Sequence, residues 1–306
     1  MVKKYVICIF FVLTILPVAA QQITEHWISV DKGRLYCQTM GKGEPLLFIH
    51  GGPGLNQSYL VPAFESLAKK YMLIFYDQRS SGKSALSVKA TMNFETFADD
   101  IDSIRKYFGL EKINIISHSW GSLVAIHYAN DYPINITSLI LLDPIPANTS
   151  FNNQMNSLIS ERTSTFDSLE RARIMQTEDF KSRKSNAILQ LMKLSFKANF
   201  CDTSSLEKLK LELPENYAAA ALSYEGWMKE MKNYDVTSQL KNIQCPVYIL
   251  YGACDIIPVE AAVQIQNLIP NSDIKIYADA GHFCFIEQNR YSIKDIERFL
   301  KSVSKR

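Results

Sequence analysis

Basic runs, paired cysteines, metal-ligand spacings and a second long apolar segment are all missing from this chain of 306 residues. Each absence removes a class of function. Beyond residue 20, 31 Lys and Arg face 31 Asp and Glu, because Lys3 and Lys4 are the only charges before that point. A balanced chain without a basic stretch lacks the phosphate-neutralising surface on which nucleic-acid binding draws, and the terminal KSVSKR reads as a short solvated tail. The five histidines, at 26, 50, 118, 127 and 282, show no zinc-ligand spacing, and no two cysteines form a CxxC pair. Zinc and thioredoxin-like chemistry are therefore not expected, and no cofactor is implied. No fixed repeat or low-complexity block occurs, so the composition fits one substantial core with room for a subdomain.

The one long apolar run is N-terminal. MVKK is followed by the uncharged YVICIFFVLTILPV, a proline break, and the small residues Val18, Ala19 and Ala20. This reads as a signal peptide over residues 1–20, cleaved near Ala20, giving a secreted or periplasmic protein with no stable membrane association. An uncleaved N-terminal anchor is the alternative, since the run is nearly long enough to reach across a bilayer. Cys37, Cys201, Cys245, Cys254 and Cys284 remain after cleavage. Export permits disulfides, but the odd count leaves at least one thiol over. Several of these cysteines lie in apolar strand-like stretches, so buried free thiols are expected and the pairing stays open.

From residue 21 the chain alternates between strand and helix patterns. ITEHWISV and RLYCQTMG show the period-two alternation of an antiparallel hairpin. PLLFIH (45–50), YMLIFYD (71–77), KINIIS (112–117) and ITSLILLD (136–143) are continuous apolar runs, the signature of parallel strands covered on both faces. Between them, NFETFADDIDSIRKYFGL carries apolar residues at three- and four-residue intervals, with Asn93 as N-cap and Gly109 as stop. A second helix follows at 121–131. From 146 to 240 the sequence is polar, helical in spacing, and without strand signals. Alternation resumes with CPVYILYG (245–252), a helix near 258–268, IKIYAD (274–279) and a closing helix at 289–303. The expected fold is α/β: a mostly parallel sheet built from residues 21–145 and 241–306, with a helical cap, 146–240, inserted after the sixth strand.

Four clusters fall at strand C-termini, where open α/β sheets build their sites. SHSWGS (117–122) places Ser119 at a strand-to-helix turn, with Ser117 and Gly121 as the small neighbours that a tight bend requires. HGGPG (50–54) brings backbone N–H groups close enough to serve an oxyanion. YGACDIIPVE (251–260) supplies Asp255, and DAGHFCFIEQ (279–288) supplies His282. Taken singly, each also fits an ordinary turn, cap or surface histidine. Their chain order, Ser119 then Asp255 then His282, is the order of the Ser–acid–His triad in α/β-hydrolases. His282 would then be the general base and Asp255 its orienting acid. His50 and His118 flank the site in sequence and are assigned supporting roles.

HGGPG, DQRSSGKS (77–84) and SHSWGS together resemble the prolyl aminopeptidase (proline iminopeptidase) branch of the α/β-hydrolases. Ser80 and Ser117 stand where that family commonly carries Gly. The resemblance implies an oxyanion hole from the N–H groups of Gly52 and Trp120, with Gly51 also at the substrate. It further implies an acidic residue in the cap that binds the free amine of a peptide. Glu215, Glu225 and Glu230 are the candidates, and Glu225, flanked by Tyr224 and Trp227, is the foremost. The expected substrate is a small peptide with N-terminal proline or another small apolar residue. A carboxylesterase acting on small apolar esters is the alternative. A catalytically silent binding protein on the same fold is the reading of a different class.

Overall fold

The structure is a computed structural model that describes residues 22–86, 91–215 and 217–305, with the side chains at 85, 86, 219, 225, 226 and 230 outside the description. The expected signal peptide, residues 1–20, and the side chain of Glu225 therefore lie outside the described residues.

The alternating N-terminal stretches form β1 (Thr24–Val30) and β2 (Gly33–Met40), antiparallel from Val30↔Gly33 to Thr24↔Thr39. The continuous apolar runs become β3 (Glu44–Ile49) and β4 (Tyr71–Tyr76). A two-residue β5 (Ala85–Leu86) pairs with the start of β2, and no apolar run announces it. The remaining strands are β6 (Ile113–His118), β7 (Ile136–Leu142), β8 (Val247–Gly252) and β9 (Ser272–Tyr277). The sheet runs β1-β2-β4-β3-β6-β7-β8-β9, antiparallel at its first two junctions and parallel from β4 to β9.

Successive strand residues point to opposite faces, so each run feeds two cores. Leu47 and Ile49 of β3 enter one cluster, and Leu46 and Phe48 enter the other. The four-residue α1 (Val61–Phe64) precedes β4, and the helix that follows β4 and β5 is α2 (Phe94–Tyr107). The side chain of Asn93 accepts the Thr96 N–H, and that of Thr96 returns the bond to Asn93, a reciprocal cap that fixes where α2 begins. Gly109, at φ +65°, ends it as expected. Next comes α3 (Gly121–Asp131), whose residues Gly121 to Ile126 are all buried beneath neighbouring elements.

Between β7 and β8 the chain is helical. It forms α4 (Asn152–Arg162), α5 (Thr165–Gln176), α6 (Glu178–Lys181), α7 (Ser185–Phe196), α8 (Tyr217–Glu230) and α9 (Thr237–Asn242). Counting the short β5, this insertion follows the seventh strand. Its ends are joined by an antiparallel bridge, Asn148↔Asp235, and by the Tyr234 hydroxyl donating to the Pro146 carbonyl at 2.8 Å. The chain closes with α10 (Val259–Leu268), α11 (Cys284–Glu287) and α12 (Asn289–Val303). Among the described residues, no helix is long and apolar enough to cross a membrane.

Cys37, Cys245 and Cys284 are buried free thiols, as the strand-like context led one to expect. Cys201 and Cys254 differ: they are joined in a disulfide, with Cα atoms 5.2 Å apart. Both lie in loops rather than strands, one in the insertion and one just before Asp255.

Candidate active site

Ser119 leaves β6 with φ +52°, a left-handed conformation that costs a non-glycine residue roughly 1–2 kcal/mol. Two backbone bonds hold it there. Its N–H donates to Leu142 O at 3.0 Å, and its carbonyl accepts from Ser122 N at 2.8 Å, which opens α3. A Cβ on Gly121 would lie 2.7 Å from His50 O and 2.8 Å from Ile49 O, so only glycine fits two residues past the bend. Ser117, two residues before it, is fully buried and fits as a small residue.

Loops from three other strand ends converge on this turn. His282 Nε2 lies 2.8 Å from Ser119 Oγ, and His282 Nδ1 lies 2.7 Å from Asp255 Oδ2. Asp255 is held in turn by the Ile257 N–H, which donates to its Oδ1 at 3.0 Å. Burial alone would lower the pKa of His282, but the charge and hydrogen bond of Asp255, with the charge of Asp143, outweigh it and raise the value above 6.5. Residues 163 positions apart are thus placed in one hydrogen-bonded line.

The two flanking histidines are engaged elsewhere. His118 Nε2 faces the carbonyl of His282 at 2.9 Å, so it carries the proton. His118 Nδ1 therefore accepts from the Tyr59 hydroxyl at 2.7 Å, and that hydroxyl accepts the Gly51 N–H at 2.5 Å. The Gly51 amide is consequently engaged within the protein. His50 bonds Gly51 O and receives the Gln78 N–H, both at 3.0 Å, and burial pushes its pKa down to about 4. By contrast, the N–H groups of Gly52 and Trp120 meet no backbone acceptor among the described residues. Gly52 adopts φ +52°, which glycine supplies without strain.

DQRSSGKS folds beside this turn. Arg79 forms a buried two-point bond to Asp100 of α2, each contact 2.7 Å, and Ser80 takes φ +55° where the resembling family carries Gly. The Tyr224 hydroxyl, from α8, bonds both the Arg79 carbonyl and Ser81 Oγ, pinning the insertion to the sheet. Trp227 packs edge-on against Trp120 at 4.7 Å. Tyr224 and Trp227 are thus buried anchors, and only Tyr224 also lines the cavity described below. Glu215 is exposed.

One residue of the site has no motif in the sequence. Asp143, fully buried at the end of β7 with φ +42°, accepts the Gly252 N–H at 2.8 Å on one oxygen and the Cys284 N–H at 3.0 Å on the other. Burial, then the charge of Asp255, push its pKa upward. The signal available was a carboxylate closing an otherwise apolar strand, which is costly unless the carboxylate is fully bonded. A cavity of about 1120 Å³ reaches from Pro53 of the HGGPG loop into the helical insertion, and neither Ser119 nor His282 lines it.

The sequence matches the family described as alpha/beta hydrolase fold over residues 44–288. The proline iminopeptidase of Lactobacillus delbrueckii subsp. bulgaricus is 27% identical over 289 residues, covering 88% of this chain and 94% of that one. That of Heyndrickxia coagulans is 28% identical over 293 residues, covering 92% and 99%. Among solved structures, the proline iminopeptidase of Mycobacterium smegmatis superposes with a TM-score of 0.68 at 18% identity, covering 92% of this chain and 98% of that one. An esterase from Exiguobacterium antarcticum gives 0.65 at 18%, covering 91% and 100%. With the sheet order, the bend at Ser119 and a match spanning most of its length, the chain belongs to the alpha/beta hydrolase fold family.

Proposed function

We propose that the protein is a serine hydrolase that releases the N-terminal residue, proline or another small apolar one, from short peptides. The observation that carries the reading is the continuous line Ser119–His282–Asp255, with contacts of 2.8 and 2.7 Å. Ser119 Oγ attacks the scissile carbonyl while His282 takes its proton, and Asp255 stabilises the imidazolium that forms. The N–H groups of Gly52 and Trp120 receive the oxyanion. His282 then protonates the leaving amine, the C–N bond breaks, and a water deprotonated by the same imidazole hydrolyses the acyl-enzyme. The names of the relatives, matched along nearly their whole length, support the peptidase form. Glu225 of α8, between the cavity-lining Leu222 and Met228, is the residue proposed to bind the substrate amine.

One observation favours a carboxylesterase as the second reading. The wall of the cavity is largely apolar, with Met192, Leu222 and Met228 in it, which suits a small apolar acyl group. The N-terminal pattern and the Cys201–Cys254 disulfide support export to an oxidising compartment, which cell fractionation would test.

The deciding assay pairs wild type and Ser119→Ala on unblocked aminoacyl amides, including prolyl, and on short acyl esters. Prolyl amide turnover that falls at least about a thousandfold in the variant, and is lost on N-blocking or in Glu225→Gln, is the expected result. Ester turnover alone moves the protein to the second reading. Activity on neither panel overturns both readings and leaves a silent binding fold.

A further inference from the structure

Among the described residues, the cavity that opens from Pro53 combines an apolar interior with charge of one sign. Met192, Phe196, Tyr217 and Met228 contribute to its wall, and five cations stand around it: Arg171, Lys181, Arg183, Lys229 and Lys232. Composition does not explain this bias. Residues 146–240 hold twelve Lys and Arg and twelve Asp and Glu, so an unselected lining would carry both signs.

Three acids of α5 and α6 are turned to other partners, while the side chains of Glu225 and Glu230 of α8 lie outside the described residues. Glu170 pairs with Arg173, Asp179 with Lys184 and Asp167 with Lys197, and none of these six lines the cavity. Among the described residues, only Lys181 of the lining cations is neutralised, by Glu178 at 2.7 Å. Arg171 bonds the Ser195 hydroxyl, itself in the lining, at 2.8 Å. Among the described residues, Arg171, Arg183, Lys229 and Lys232 make no ion pair. Cations gathered around a low-dielectric hollow concentrate anions there. At about 1120 Å³ the space exceeds what a single small residue fills.

We propose that this cavity receives the part of the substrate remote from the scissile carbonyl, and that this part is apolar and carries a carboxylate. Arg171, Arg183, Lys229 and Lys232 select it by charge. The inference rests on the serine hydrolase reading. In the peptidase form the carboxylate is the free C-terminus of a short peptide. In the esterase form it ends an aliphatic chain.

The experiment compares matched substrates that differ only in that charge: short prolyl peptides with free or amidated C-termini, and aliphatic esters ending in a carboxylate or its methyl ester. The quantity read is the ratio of kcat/KM within each pair, in wild type and in Arg171→Gln/Arg183→Gln/Lys229→Gln/Lys232→Gln. Because the ratio is taken within one protein preparation, partial misfolding cancels. Wild type should favour the carboxylate member about tenfold, the combined strength of a few exposed charge contacts. That preference should shrink with added salt and approach one in the variant. The pair that shows it, peptide or ester, identifies the source of the carboxylate. Equal or lower kcat/KM for the carboxylate member, with the neutral member turned over, overturns the inference and leaves the hydrolase intact. Wild type no faster than Ser119→Ala on every substrate overturns both.

Discussion

Asp143 holds the backbone of Cys284, accepting its N–H at 3.0 Å, while its other oxygen accepts the Gly252 N–H at 2.8 Å. Cys284 is two residues past His282 and Gly252 three before Asp255, so one buried carboxylate ties together the loops that carry His282 and Asp255.

Asp143→Asn should separate this positioning role from mere packing. An amide keeps one acceptor and turns an NH₂ toward the second N–H, leaving that donor buried and unpaired at a cost of about 1–3 kcal/mol in a denaturation curve. It also removes a negative charge that raises the pKa of His282. The acidic limb of the kcat/KM profile should therefore move to lower pH. A loss of stability with an unmoved limb would reduce Asp143 to a structural residue.

The pH dependence of the wild type follows from the proposed base. In that mechanism His282 accepts a proton from Ser119 only when neutral, and its pKa is raised above 6.5. A raised pKa keeps it protonated to higher pH, so reaction with a sulfonyl fluoride should rise through a midpoint above 6.5. A midpoint at or below that value would contradict the raised base.

Gly52→Ala should damage the proposed oxyanion site while leaving the core in place. At φ +52° a Cβ is strained, and it would lie 2.9 Å from the Leu55 side chain. Displacing the Gly52 N–H should lower kcat by about 10²–10³-fold with little change in KM. An unchanged kcat would assign the oxyanion to other donors.

The disulfide is open to the same kind of test. Cys201→Ser/Cys254→Ser should lose about 2–4 kcal/mol against urea. Dithiothreitol should weaken the wild type alone, since the other described thiols are buried. Equal sensitivity of both proteins to the reductant would disprove the pairing.

What could be read from sequence was whatever is encoded locally. The strands buried on both faces appear as apolar runs, and Ser119, Asp255 and His282 appear because each follows such a run in a recognised order. What escaped depends on residues meeting across the fold. Asp143 reads as the polar end of ITSLILLD until two distant N–H groups are brought to it. Tyr59 has no motif, yet its hydroxyl links Gly51 to His118. Cys201 and Cys254 are 53 positions apart, and spacing alone does not pair them. The two-residue β5 is too short to carry a period.

The helical insertion begins and ends at adjacent strands, β7 and β8, and its two stems are bridged at Asn148 and Asp235. It is a detour that rejoins the sheet where it left, so its length enters the register of no strand. Such a segment can be lengthened, trimmed or exchanged over evolutionary time while the frame beneath it stays fixed. The wall of the cavity can then diverge on a faster clock than the loops of the sheet that carry Ser119, Asp255 and His282.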